Sequence, residues 1–199
     1  MNTPHESSTT ARLGMWLFIS TEILLFGGLF LLYSLYRLKN PADFHNGSYE
    51  LSRFFGTLNT AILITSSLTV ALAIQALRTN KSGSSLALLL VTIGLAFSFL
   101  IVKSFEWGAK FEHGLYPGAA VLLAKPKGEI LYFGLYFMMT GLHAFHVIAG
   151  IGVLSFVFVW VKRGKVTAQR SILLENVGLY WHLVDIIWIF LFPLFYLIT

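Results

Sequence analysis

The chain alternates between long apolar runs and short polar stretches. Five runs consist almost entirely of apolar, aromatic and small residues, and they cover residues 13–36, 54–77, 84–107, 130–161 and 172–198. Because a helix rises about 1.5 Å per residue, about 20 residues cross the roughly 30 Å hydrocarbon core of a bilayer. The pattern predicts an all-α, polytopic membrane protein: a bundle of five transmembrane helices in a single domain over residues 1–199. The fourth run is longer than a span requires, which predicts a tilted helix or one that extends beyond the membrane.

The links between the runs indicate turns and an orientation. Asn40-Pro41 and Asn46-Gly47 in the first link are turn signals. Lys and Arg without acids concentrate in the second and fourth links, whereas the first and third links mix them with Asp and Glu. The positive-inside rule therefore predicts a cytoplasmic N-terminus and a periplasmic C-terminus in the cytoplasmic (inner) membrane of a bacterium. Residues 1–10 have no basic segment followed by a short apolar one, so we expect no signal peptide.

Composition supports the membrane assignment and excludes several functions. Charged residues make up 12% of the chain and hydrophobic residues 56%, so too few polar groups are present to cover a water-facing surface. The net charge is +5, and the Lys and Arg residues lie mostly between the apolar runs. This placement favours contact with lipid headgroups over binding of nucleic acid. The chain has no cysteine, which excludes disulfides, thiolate metal sites and covalently attached c-type haem.

Five of the ionisable residues inside the apolar runs are the main candidate site residues, because each such residue costs about 2.5–3.5 kcal/mol on insertion scales. They are Glu22, His143, His146, His182 and Asp185. Their positions along the predicted helices place all of them near the middle of the bilayer or slightly towards the cytoplasm. We expect them to act mainly through hydrogen bonds between helices. For Glu22 the alternatives are a protonated, hydrogen-bonded carboxyl and a proton-relay or lipid-contact site.

The histidines form two i, i+3 pairs: His143 with His146, and His182 with Asp185. The second pair, beside Trp181, suits a metal ligand, a proton shuttle or a simple hydrogen-bonded pair. Two histidines on different helices, His146 and His182, could also hold a haem.

Two weaker candidates are polar residues in the second and third runs. Asn59 lies among several hydroxyl residues in the second run, a composition typical of close helix packing. Glu106 is spaced to pair with Lys103 or Lys110 near the outer end of the third run. The acids do not form a ladder across the membrane, which argues against a complete proton wire in this chain, and the absence of an internal repeat disfavours a transporter.

Several of these segments together resemble subunit III of the haem–copper oxidases. Residues 140–150 (TGLHAFHVIAG) resemble the penultimate helix of that family, and residues 180–188 (YWHLVDIIW) resemble its last helix. Glu22 stands where the family places a carboxyl after Ser or Thr. The LNT of residues 58–60 with Ser66-Ser67, and the FEW of residues 105–107, resemble the two helices between. The matches occur in the family's order and cover nearly the whole chain.

The resemblance implies an accessory subunit of a proton-pumping oxidase, most closely a cytochrome c oxidase. Such a subunit binds no haem or copper itself, lies beside subunits I and II, holds phospholipids, and supports proton uptake and the working life of the enzyme. Longer family members have seven spans, with lipids between the first two and the other five; this chain resembles the five-span short form. The alternatives are subunit III of a quinol oxidase, a subunit associated with a nitric oxide reductase, and, in a different class, a small membrane haem protein.

Overall fold

The structure, a computed structural model, describes the backbone of residues 4–198 and the side chains of residues 9–198. Within those residues the chain forms helices and no strand. The α-helices are Pro4–Lys39 (α1), Pro41–Tyr49 (α2), Arg53–Arg78 (α3), Ser82–Glu112 (α4), Ala120–Leu123 (α5), Lys127–Lys162 (α6) and Ile172–Tyr196 (α7), and a 3₁₀ turn covers Ala168–Arg170.

Five of these helices, α1, α3, α4, α6 and α7, are long and apolar enough to cross a membrane. The predicted five-helix, all-α membrane bundle is therefore confirmed, and the chain is a multi-pass membrane protein. The helix α6 has 36 residues, so it extends beyond the thickness of the hydrocarbon core, as its length in the sequence suggested.

The first link differs from the prediction. The turn expected at Asn46-Gly47 is wrong, because both residues lie inside the short helix α2. Pro41 begins this helix, a position where its missing N–H costs nothing. Gly47 lies against the ring of Tyr132, where a Cβ atom would come within 2.5–3.0 Å of the ring carbons. The glycine therefore permits α2 to lie directly on α6, and it does not mark a turn.

The helix α7 lies at the centre of the bundle and contacts α1, α2, α3 and α6. The helices α3 and α4 form a closely packed antiparallel hairpin, whose register is marked by a 2.8 Å hydrogen bond between the hydroxyls of Thr69 and Thr92. By contrast, α1 contacts the bundle mainly through α6 and α7 and leaves most of its apolar surface bare. The packing thus divides the bundle into a central helix, a tight hairpin and a loosely attached first helix.

On the side of the bundle where α1 begins, one carboxylate joins three helices. The carboxylate of Glu175 on α7 forms ion pairs with Arg78 of α3 at 2.8 Å and with Arg12 of α1 at 3.3 Å. The Ser171 hydroxyl also donates to Glu175 at 2.5 Å. Asn176 adds a hydrogen bond to the backbone carbonyl of Ala11 at 3.2 Å. Arg12 and Arg78 therefore join the ends of α1 and α3 to the start of α7.

On the opposite side, side chains satisfy the last carbonyls of α7. Tyr33 of α1 donates to the carbonyl of Leu194, and Tyr132 of α6 donates to the carbonyl of Phe195 at 2.8 Å. The last carbonyls of a helix have no N–H partner within the helix. Because a membrane offers little water as a donor, the two tyrosine hydroxyls take its place.

The loops on that side are held by ion pairs and backbone contacts. Lys125 pairs with Glu129 at 2.8 Å and with Glu50 at 3.6 Å. The hydrogen bond that Lys125 donates to Glu129 raises the pKa of Lys125 above its usual value. Asp43 accepts the backbone N–H of Gly128 at 3.1 Å. The links on this side are thus ordered against α6.

Candidate functional site

A carboxyl and an imidazole meet between α1 and α6. The Oε2 atom of Glu22 lies 2.9 Å from Nε2 of His146, although it does not meet hydrogen-bond geometry. The other ring nitrogen of His146, Nδ1, is 2.8 Å from the carbonyl oxygen of Leu142. Phe26 packs edge-on against the imidazole, and Tyr180 donates to the carbonyl of His146 at 2.9 Å. The structure therefore brings these two predicted residues together between α1 and α6, beside the ring of Phe26.

The contacts of the imidazole fix its orientation between the two helices. Because a carbonyl can only accept, the contact with Leu142 places the N–H of His146 at Nδ1 and leaves Nε2 facing the carboxyl of Glu22. The arrangement therefore brings a carboxyl and an imidazole nitrogen within contact distance between α1 and α6.

The second predicted pair, His182 with Asp185, is not bonded internally. Instead, Nδ1 of His182 lies 2.7 Å from the hydroxyl of Ser67 on α3. Asp185 is 3% exposed, and neither of its carboxyl oxygens has a hydrogen-bond partner among the described residues. The Ser67 hydroxyl also lies beside Asp185, but without the geometry of a hydrogen bond. These three side chains line a common cleft between α3 and α7.

Two tryptophans of α7 are bonded to α3. The indole N–H of Trp181 donates to Ser66 at 3.0 Å, and that of Trp188 donates to Thr60 at 3.0 Å. In a hydrocarbon environment each such bond replaces an unsatisfied donor. Trp181, a candidate from the sequence, thus fixes the position of α7 against α3.

His143 and Asn59 are fully buried and lack partners among the described residues. Neither ring nitrogen of His143 has a hydrogen bond, and neither amide atom of Asn59 does. His143 lies between the rings of Phe99 and Trp188, at centroid distances of 5.4 and 5.2 Å. It therefore points towards α4 and α7, whereas His146 points towards α1. The i, i+3 spacing of the two histidines does not bring them to a common site.

The most elaborate polar cluster lies between α4, α6 and α7. The ammonium of Lys103 contacts Glu106 at 3.1 Å, the hydroxyl of Tyr136 at 3.0 Å and that of Tyr196 at 2.7 Å. The second carboxyl oxygen of Glu106 accepts from the same two tyrosines, at 2.8 and 2.6 Å. Lys103 and Glu106 are 3% and 2% exposed, so both charges are inside the protein. Lys103 also lies over the ring of Trp188, at 5.2 Å from its centroid.

The sequence identified only part of this cluster. It paired Glu106 with either lysine, and the structure selects Lys103, because Lys110 instead donates to the backbone carbonyl of Glu50. Tyr136 and Tyr196 were missed, since aromatic residues in an apolar run are usually packing residues. A signal was present: Tyr132, Tyr136 and Thr140 recur every fourth residue, which places three hydroxyls on one face of α6.

The predicted site residues therefore occupy separate places in the bundle. His146 of α6 is paired with Glu22 of α1, whereas His182 of α7 is bonded to Ser67 of α3. Among the side chains of residues 9–198, no three of His, Asp or Glu converge as a metal-binding group would require. The arrangement provides a set of pairwise contacts between helices, a close carboxyl–imidazole contact and a buried carboxyl beside a cleft.

Comparison with known proteins gives one family. Residues 4–199 match the family model described as cytochrome c oxidase subunit III. Similar proteins include the cytochrome c oxidase subunit 3 of Thermostichus vulcanus, 30% identical over 98% of this chain and 90% of that protein. The cytochrome bo(3) ubiquinol oxidase subunit 3 of Pseudomonas aeruginosa is 27% identical over 97% of this chain and 87% of that protein.

A third relative has a different architecture. The haem–copper oxidase subunit I+III of Aeropyrum pernix is 31% identical over 94% of this chain, but the match spans only 22% of that longer protein.

Proposed function

Because the chain belongs to the cytochrome c oxidase subunit III family, we propose that it is the cofactor-free accessory subunit of a proton-pumping haem–copper terminal oxidase. Members of the family are subunits of oxidase complexes, which are oxidoreductases. The observation that carries the proposal is the match over residues 4–199, which includes all five spans. The haem and copper of the reaction are assigned to partner subunits, and this chain contributes structure, lipid contacts and support for proton uptake.

The proposed oxidase is a cytochrome c oxidase, with a quinol oxidase as the second candidate. The names of the relatives include both classes. A nitric oxide reductase-associated subunit is the third candidate, from the resemblance alone. The partner subunits decide between them, because a thiolate copper site in subunit II indicates cytochrome c as the electron donor.

We propose subunits I and II as protein partners and phospholipids as bound lipids. The relative from Aeropyrum pernix is named as subunit I+III, which supports contact with subunit I. The helix α1 presents a bare apolar face, on which Leu17, Leu24 and Leu38 are at least 70% exposed. An apolar groove of about 380 Å³ between α1, α6 and α7 is lined by residues such as Met15 and Tyr180, and it suits an acyl chain.

Support for proton uptake is proposed for the pair of Glu22 and His146. The carboxyl and the imidazole are 2.9 Å apart, and Glu22 lies on α1, the helix with the most exposed surface. In this proposal the pair exchanges a proton in response to charge in a proton-conducting partner subunit.

The proposed location is the cytoplasmic membrane of a bacterium, with the N-terminus inside. Arg12, Arg78, Lys81 and the basic link after α6 lie on the side where α1 begins. We expect reporter fusions at Asn80 and Gly164 to score as cytoplasmic, and fusions at Asn46 and Gly118 to score as periplasmic. The reverse pattern would invert the orientation without changing the five spans.

Removing this chain should leave oxygen reduction active but short-lived. The experiment compares the oxidase purified with and without the subunit and follows turnover over time at saturating reductant. We expect appreciable initial activity, an unchanged haem content and faster loss of activity, because an apolar partner surface would be newly exposed.

The control for this experiment is re-addition of the purified chain, which should slow the decay. A complex that is fully loaded with haem yet inactive from the first turnover would contradict the accessory role. A loss of haem in proportion to the missing chain would contradict the assignment of cofactors to the partner subunits.

A further inference from the structure

A cavity of about 290 Å³ lies between two turns on the side of the bundle where α1 begins. One turn joins α3 to α4, and the other leads from the end of α6 towards α7. Four polar side chains line it, from Asn80, Ser82, Lys162 and Thr167. None of the four forms a hydrogen bond or an ion pair among the residues whose side chains the structure describes. The buried part of the lining is apolar and consists of Leu77, Val161 and Val166.

The two turns have the same backbone structure. At the end of α3, the N–H of Lys81 bonds back to a carbonyl of the helix at 2.9 Å, and Asn80 has a φ of 58°. At the end of α6, the N–H of Lys165 does the same at 2.9 Å, and Gly164 has a φ of 68°. Such turns pair helix-end carbonyls with backbone N–H groups, which reduces the negative charge that the two helix ends present to the cavity. In addition, α4 begins beside the cavity at Ser82, and the start of a helix carries partial positive charge.

The surroundings of the cavity carry a surplus of positive charge. Lys162 lines the cavity, and Lys81, Arg163 and Lys165 lie next to lining residues along the chain. All four side chains are exposed, and none is paired with a carboxylate within residues 9–198. Over the same residues, Glu175 is the only acid on this side of the bundle, and two arginines already pair with it. The charge therefore favours an anionic ligand.

The cavity lies at the depth of lipid headgroups. The helix α6 ends at Lys162, and the half-buried Trp160 lies two residues before that end. The ammonium of Lys165 lies over the indole of Trp160, at 5.3 Å from the ring centroid. Tryptophan side chains are enriched at the membrane–water interface, and lysine ammonium groups next to them reach the headgroup layer. Basic pockets at this depth between membrane helices suit anionic lipid headgroups.

We propose that this cavity binds the phosphate group of an anionic phospholipid from the leaflet on the side where α1 begins. The ammonium of Lys162 and the free donors of Asn80 and Thr167 contact the phosphate. The apolar lining accommodates the glycerol and the first carbons of the acyl chains. The inference rests on the proposed binding of phospholipids, and it assigns one lipid class to one site, which is separate from the groove between α1, α6 and α7.

Native mass spectrometry of the purified full chain tests recognition of the headgroup. The chain in neutral detergent is titrated with phosphatidylglycerol or with phosphatidylcholine of the same acyl chains, so that only the headgroup differs. We expect phosphatidylglycerol to bind more tightly, and the Lys162→Gln variant to bind it about fivefold more weakly than the wild type. The Lys162→Arg variant keeps the charge and should bind it nearly as well as the wild type.

The matched control is Lys127→Gln, which removes an exposed lysine from the opposite end of the same helix. This variant has the same net charge as Lys162→Gln and should bind phosphatidylglycerol as the wild type does. Equal weakening by the two glutamine variants would show that only the overall charge matters, and it would contradict the proposal. Inorganic phosphate in large excess should not displace the lipid, because it lacks the apolar part. Displacement by phosphate would show that the cavity recognises a free anion instead.

Photo-crosslinking in the oxidase complex tests which molecule occupies the cavity in the membrane. Ala168, which lines the cavity, is replaced by benzoylphenylalanine, and native membranes are irradiated and analysed by mass spectrometry. We expect adducts with anionic phospholipid. Adducts with an acidic segment of another protein subunit would overturn the proposal. Lipid adducts from the same probe at Met15, in the groove beside α1, but not at residue 168 would overturn this site alone. The absence of lipid adducts at both residues would contradict the proposed binding of phospholipids as well.

Discussion

Replacing Lys103 with methionine should destabilise the bundle by about 3–5 kcal/mol, because it leaves a buried carboxylate without its counter-ion. Lys103 and Glu106 are both nearly inaccessible, and together with Tyr136 and Tyr196 they join α4, α6 and α7. Methionine fills a similar volume, so the loss would report the charge and its hydrogen bonds and not a cavity. The measurement is unfolding of the purified chain by SDS in mixed micelles, followed by circular dichroism.

A second variant separates the unpaired charge from the value of the ion pair. In the double variant Lys103→Met with Glu106→Gln, no charge remains, and the two tyrosine hydroxyls can still donate to the amide oxygen. We expect this chain to recover most of the lost stability, since a buried ion pair contributes little beyond a well-packed neutral replacement. The control Lys127→Met removes an exposed lysine and should change stability by less than about 0.5 kcal/mol. If the double variant were as unstable as the single one, specific ion pairing would be essential and this account would be wrong.

The helices could be predicted from the sequence because membrane spans depend on a simple property. A run of about 20 apolar residues must form a helix in lipid, since every backbone group needs an internal partner. The short helix α2 could not be predicted in this way, because its nine residues are stable only through contact with α6. The dipeptide Asn46-Gly47 is a turn signal in water, and the ring of Tyr132 overrides it.

The sequence predicted the level of each polar residue in the membrane, but not which neighbouring helix its side chain faces. Residue counting placed Glu22 and His146 at a similar level, and the structure brings them together. Residue counting could not show that His143 faces Phe99 and not Glu22. A helix that is apolar on all sides can rotate about its axis without exposing more polar groups to lipid, so the sequence does not fix which side faces which neighbour. The choice depends on close approach at small residues, and Gly150 is the clearest example.

We expect Gly150→Ala to destabilise the packing of α6 on α7 by about 1–3 kcal/mol. A Cβ atom at residue 150 would lie 2.6 and 2.8 Å from two ring carbons of Trp181 and 3.3 Å from the ring of Tyr180. The indole of Trp181 is fully buried, and its N–H is bonded to Ser66 on α3. The ring can therefore make room only by weakening its contact with a third helix. The measurement is the midpoint of SDS unfolding, with the tryptophan fluorescence maximum as a second signal.

The matched control is Gly152→Ala, on the same helix and two residues away. A Cβ atom there would meet nothing within 4 Å, and residue 152 faces outwards. Alanine is favoured over glycine in a helix interior by up to about 1 kcal/mol, so this variant should be as stable as the wild type or slightly more stable. The two substitutions are chemically identical, and therefore an opposite sign can arise only from their surroundings. Equal effects at both residues would show that Trp181 moves freely, and that close approach at Gly150 does not hold α6 against α7.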